Sequence, residues 1–242
     1  MGGEVESIGA AMSSAEARSA LAWWLQAGVD TPVQEEPRNW LKPPVPQTPK
    51  SVQSAAPPNV IQPSHESLAE LQEWLATSAQ LPFASSTGKR ILPHGPENAA
   101  IMLLCDAPAL EDYAAGQPIG GDAWELAKRM LAAIGIKPED AYCASLSPIH
   151  APGVRLSTPD RDSFAEIARR HVRLVRPRRL LLFGEGPCRA LLGKPLPQGR
   201  GHVHKVEGVR TVATFHPRNL INQPSNKSLA WKDLLLLMED ER

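Results

Sequence analysis

Long apolar runs are missing from this chain. None approaches the roughly 18–20 residues that a bilayer-spanning helix needs. The start also lacks the basic stretch and apolar run of a secretory signal. Cysteine is scarce. Cys105, Cys143 and Cys188 form no CxxC pair and no even spacing, which excludes a disulfide framework and fits buried thiols in a reducing cytoplasm. Net charge is formally zero, so the chain is no uniformly basic nucleic-acid binder. No Gly-x-Ser-x-Gly segment occurs, so an α/β-hydrolase would have no nucleophile. There is no internal repeat.

What is present is unevenly distributed. Hydrophobic residues make up 42% of the 242, enough for a globular core. Residues 1–75 carry 4 Lys/Arg and 9 Asp/Glu, and residues 76–242 carry 22 and 17. A mildly basic domain therefore follows an acidic leader, a balance compatible with phosphate binding. Residues 1–30 hold one short helix, predicted over 13–28. There Ser13 and Glu16 form a capping box, and Leu21, Trp24 and Leu25 an apolar stripe. Residues 31–63 are rich in Pro, Gln and Ser, a composition that buries no core and reads as a disordered linker. A domain over 64–242 follows. It opens with a helix at about 65–77 that aligns Leu68, Leu71 and Leu75.

Beyond residue 98 strands alternate with helices. Strands are predicted at Ile101–Cys105, Ala141–Leu146, Arg179–Phe183 and Val209–Thr214. Helices are predicted at Asp122–Ile134, from Thr158-Pro159-Asp160, at about 187–192 and at about 226–239. The pattern implies a three-layer α/β/α fold around a central, mainly parallel four-stranded sheet. Ligands of such sheets sit at the C-terminal strand ends, which places Asp106, Ser145, Gly184 and His216 on one rim. His202-x-His204 lacks a completing carboxylate or thiol and reads as a surface hairpin. Gly184-Glu185-Gly186 reads as a tight strand–helix turn, the Arg169–Arg179 cluster either as a phosphate contact or as a solvated helix face, and His171 as a structural histidine on an apolar helix face.

Two rim segments carry a more specific pattern. One is Cys105-Asp106-Ala107-Pro108 with Gly116-Gln117-Pro118-Ile119-Gly120-Gly121. The other is Ala213-Thr214-Phe215-His216-Pro217-Arg218-Asn219-Leu220. With Ala230-Trp231-Lys232-Asp233-Leu234, Pro152-Gly153-Val154-Arg155 and Thr158-Pro159, they run in the order of the uracil-DNA glycosylase superfamily. The chain most resembles its family-four members, over about residues 98–236. The resemblance implies a DNA glycosylase that flips a uracil or another deaminated or damaged base out of DNA and hydrolyses its N-glycosidic bond in base-excision repair. In that reading Asp106 orients water and favours the sugar cation, and His216 stabilises the departing base. Ala107, Pro108, Ile119 and Ser145 line the base pocket. Arg155, Arg218, Asn219, Leu220, Asn222 and Lys227 meet the DNA. No cofactor and no metal are expected, and the protein is expected to be a cytoplasmic monomer.

The departures from the family pattern are as specific. Asp106 stands where the family has Glu, Ile119 where it has a base-stacking Phe, Ser145 where it has a base-reading Asn, and Phe215 where it has Tyr. The family's four iron–sulfur cysteines have no counterparts. These changes imply slow uracil release or a preference for another lesion such as hypoxanthine or xanthine. They also leave open a second reading, a catalytically weak or inactive member that serves as a DNA- or protein-binding module.

Overall fold

Ile101–Cys105 and residues 180–183 are short runs of apolar residues with no polar alternation, and in the computed structural model they lie where such runs must, buried on both faces. The structure describes residues 66–82, 84, 90–149 and 158–239, with Arg18, Ser19, Ala22 and Trp23. Those four are helical, but the rest of the helix expected over 13–28 and the whole linker of 31–63 lie outside the described residues. So does the Pro152–Arg155 stretch.

The elements are α1 (Leu68–Thr77), β1 (Ile101–Cys105), α2 (Leu110–Ala115), α3 (Gly121–Ala133), β2 (Ala141–Ser145), α4 (Thr158–Val175) and β3 (Arg179–Phe183). They continue with α5 (Glu185–Leu192), α6 (Leu196–Gly199), β4 (Val203–Val206), β5 (Val209–Thr214), α7 (Pro217–Asn222) and α8 (Lys227–Met238). The sheet runs β2-β1-β3-β5-β4, parallel throughout except for β4. It has five strands where the sequence suggests four. The fifth is β4, whose Val-His-Lys-Val is short, polar and mostly exposed, so it gives no apolar run to read. It pairs antiparallel with β5 through Glu207-Gly208, both at positive φ, as a tight hairpin turn requires. The surface hairpin expected around His202-x-His204 is this one.

Alternate residues of each strand feed two cores, which makes the fold three-layered. Met102, Leu104, Tyr142, Ala144, Leu180 and Leu182 face α1, α4 and α5. Ile101, Leu103, Cys105, Cys143, Leu181 and Phe183 face α3 and α8. A buried polar chain crosses the first core. Gln72 donates to the Tyr142 hydroxyl at 2.9 Å, and that hydroxyl lies 2.8 Å from His171 Nε2. It ties α1 to the α/β domain. The connection from β1 goes first to β2 on one side, and the chain then crosses to β3 on the other. The crevice between the ends of β1 and β3 is therefore the switch point at which such sheets bind ligands.

Candidate active site

Asp106 is the first residue past β1, at that switch point. Its neighbour across the crevice is the β3–α5 turn. Gly184 adopts φ 95° and ψ −172°, a backbone region open essentially to glycine alone. An added Cβ on Gly184 would stand 3.1 Å from Asp106 Oδ2 and 3.7 Å from the His216 Cβ. One backbone turn thus separates the two residues expected to do the chemistry. The Gly186 amide donates to Asp106 Oδ2 at 3.3 Å. Burial raises the Asp106 carboxyl above its ordinary range, the Gly186 amide works against that rise, and the charge of Glu185 adds to it.

His216 lies two residues beyond β5 and caps α7. Its Nδ1 accepts the backbone N–H of Arg218 at 3.1 Å, which leaves the ring proton of the neutral imidazole on Nε2. Burial lowers its pKa to about 4, helped by Arg218 and opposed by Asp112. At neutral pH the ring is an uncharged donor. Phe183 closes one side of it, edge to face at 6.0 Å.

Two further carboxylates hold this arrangement in place, Asp112, which no motif marks, and Asp233 of the 230–234 segment. Asp112, 1% exposed, accepts the amides of Ala109 at 2.6 Å and Gly120 at 2.7 Å, and takes both its oxygens to Arg218 at 3.0 and 2.9 Å. It closes the 109–120 loop and fastens it to α7. Asp233 is wholly buried. It accepts from Thr214 Oγ1 at 2.8 Å, from the Gly201 amide and from Arg200, whose guanidinium lies 5.0 Å over the Phe215 ring. It anchors α8 to the end of β5, two residues before His216.

The other expected site residues divide. Ser145 ends β2, opposite Cys105 in the register. Its Oγ is buried with no hydrogen-bond partner among the described residues. The neighbouring thiol of Cys105 gives its own bonds to the carbonyls of Pro118 and Ala144. Pro108 is buried and Ala107 exposed at the same rim. Ile119 is 1% exposed and packs in the second core with Cys105 and Ala123, so it offers no open face to the rim. Asn219, Asn222 and Lys227 are exposed. Leu220, expected at the DNA face, is 1% exposed and serves the fold, because α7 turns its apolar side inward. Arg218, partly exposed, is held by Asp112 at 2.9 Å and by Glu111 at 3.4 Å. Arg155 lies outside the described residues.

An iron–sulfur cluster of the kind found in family-four enzymes does not fit. There are three cysteines, all buried, and burial pushes the Cys143 thiol up to about 12 and the Cys188 thiol up to about 11, the wrong direction for thiolate ligands. Among the described residues no group of His, Cys, Asp or Glu is arranged to hold a metal ion, and no helix is long and apolar enough to cross a membrane.

Comparison with known proteins gives this geometry a context. The family model described as the uracil DNA glycosylase superfamily matches residues 92–236. A type-4 uracil-DNA glycosylase of Archaeoglobus fulgidus is 26% identical over 141 residues, 54% of this chain and 71% of the relative. That of Pyrobaculum aerophilum is 21% identical over 182 residues, 70% of this chain and 92% of the relative. A DNA polymerase of Bacillus phage SP01 is 27% identical over 146 residues, 59% of this chain but 16% of the polymerase.

Proposed function

Because this chain belongs to the uracil-DNA glycosylase superfamily, we propose that it hydrolyses the N-glycosidic bond of a uracil or another deaminated or damaged base flipped out of DNA. The observation that carries the reading is the pairing of a half-buried carboxylate and a neutral, tautomer-fixed histidine on either side of Gly184. As the bond between C1′ and the base nitrogen breaks, its electron pair goes to the base and positive charge grows on the sugar. The Asp106 carboxylate favours that cation and orients a water whose oxygen bonds to C1′. The water's proton passes to the carboxylate and then to solvent. The His216 Nε2–H donates to the base as it becomes an anion. A neutral donor of lowered pKa keeps its proton in this role and leaves the product base free to depart. Such preorganised donors in a dry site are a principal source of glycosyl-transfer rate.

Substrate is held mainly through the DNA backbone, with Asn219, Asn222 and Lys227 on the exposed face past His216. The base meets Ser145, whose buried hydroxyl lies beside the Cys105 thiol and makes no geometrically good hydrogen bond among the described residues. No aromatic ring stands at Ile119 to stack on it, so uracil is released slowly or another lesion is preferred. The protein acts as a monomer, inside the cell, and residues 64–242 suffice. Abasic-site formation on oligonucleotides carrying uracil, hypoxanthine or xanthine tests the reading. Alkali-labile cleavage at one of these bases supports it. Binding without release of any base favours the second reading, a module that holds DNA, to which the loss of the base-gripping side chains at 119 and 145 points.

A further inference from the structure

The β3–α5 turn does more than reverse the chain. A Cβ built on Gly186 would fall 1.6 Å from Asp106 Oδ1 and 2.7 Å from its Cγ, and one on Gly184 would fall 3.1 Å from Oδ2. The carboxylate thus occupies the volume that side chains at 184 and 186 would need. The Gly186 amide, in the first turn of the eight-residue α5, is the donor that holds it there. Gly184 cannot be replaced without strain because of its φ of 95°. At Gly186 no positive φ is required, so conformation does not explain the glycine, and the closest contacts of a Cβ there are all Asp106 atoms.

From this we infer that Gly186 is a positioning residue matched to Asp106: its missing side chain and its amide together fix the carboxylate against the crevice, and they admit an aspartate and no longer acid. The inference rests on the proposed glycosylase reading for its kinetic consequence, but not for its structural one. A methylene added at position 106 would drive the carboxylate into the turn. A methyl added at 186 would expel it. The atoms in collision belong to the far end of a flexible side chain, so the fold accommodates Gly186→Ala by rotating Asp106 away. A displacement of about 1 Å in a reacting group can cost about 10²-fold in rate.

The test uses the full chain in five forms: wild type, Gly186→Ala, Asp106→Glu, Asp106→Ala and the double variant Asp106→Ala with Gly186→Ala. Two readouts are taken on each. The first is the NMR titration of the residue 186 amide, which needs no activity. In the wild type its shift follows the ionisation of Asp106, and in Gly186→Ala that co-titration disappears while the melting temperature holds. The second is the single-turnover release of base from a modified oligonucleotide. Gly186→Ala lowers it about 10²-fold, and adds nothing further in the Asp106→Ala background. Asp106→Glu falls as well. Co-titration that persists in Gly186→Ala, or a further loss in the double variant equal to that in the single, overturns the matching. If the wild type releases no base while co-titration behaves as described, the glycosylase reading fails and the matching of the pair stands.

Discussion

At the residue scale the account turns on three side chains. His216 is neutral above about pH 4 and donates from Nε2. His216→Ala therefore lowers single-turnover base release by about 10²–10³-fold, with DNA affinity little changed. The pH dependence has a definite sign. Asp106 works ionised, and burial has raised its carboxyl, so activity is present above that raised value and is lost as pH falls through it. The acid limb should lie above the range of ordinary carboxylates and vanish in Asp106→Asn. A limb with its midpoint near 6.5 that follows His216 would contradict the neutral ring. The buried Ser145 hydroxyl makes no geometrically good hydrogen bond among the described residues, and a buried polar group left so costs about 1–3 kcal/mol. Ser145→Ala should leave the free protein as stable as before or more so, by thermal melting, while weakening discrimination between bases. A marked loss of stability would mean that the hydroxyl has a partner inside the protein. Ile119→Phe with Ser145→Asn would restore the family's two base-gripping side chains. Ile119 is packed in the core, so the Phe would add overpacking of about 1–3 kcal/mol, and Ser145→Asn alone is the cleaner test.

At the element scale the rim is held by struts and not by the strands alone. Asp112 joins the 109–120 loop to α7 through two amides and Arg218. Asp112→Ala strands a mostly buried guanidinium and two amides, and breaking such a pair typically costs about 3–5 kcal/mol. Chemical denaturation should register that loss. A change below about 1 kcal/mol would show that the loop is held by other contacts. How much of this could be read in advance depended on locality. The parallel strands announced themselves because burial on both faces demands uninterrupted apolar runs. The order of chemical segments along the chain put Asp106, Ser145, Gly184 and His216 on one rim, and the structure has them there. β4 escaped because an edge strand with one exposed face needs no such run. The roles of Asp112 and Asp233 are not legible locally, because the partners that make them struts lie 8 and 106 residues away, at Gly120 and Arg218, or 19 and 33 residues away, at Thr214 and Arg200. Gly184-Glu185-Gly186 was seen as a turn, but that the turn approaches a carboxylate is a property of strand order, which local spacing does not encode.

At the scale of the whole molecule, two buried histidines couple folding to pH. His171 and His216 both have pKa values lowered to about 4 by burial, against 6.5 when exposed. Between those values the unfolded chain binds the protons and the folded chain does not. Stability is then full above about 6.5 and falls as pH drops toward 4, by up to about 3 kcal/mol for each histidine. Asp106 and Asp233, raised by burial, act in the opposite sense, since the folded state takes up their protons first. Comparing wild type with His171→Gln isolates one histidine: the variant should lose much less stability across this window. Equal slopes would mean that His171 is already protonated in the fold. α1 belongs with the domain through Leu71 and the Gln72–Tyr142 bond. A chain beginning near residue 64 should keep its activity.

The most direct measurement of the central claim is single-turnover formation of abasic sites in single-stranded DNA, with wild type, Asp106→Ala and His216→Ala compared on uracil and on hypoxanthine. The account predicts base release by the wild type, slower on uracil than a family member with an aromatic at position 119 achieves. It predicts a fall of about 10²-fold or more in each variant, with DNA binding retained. Release that survives both substitutions undiminished, or DNA binding with no release of either base, would contradict it.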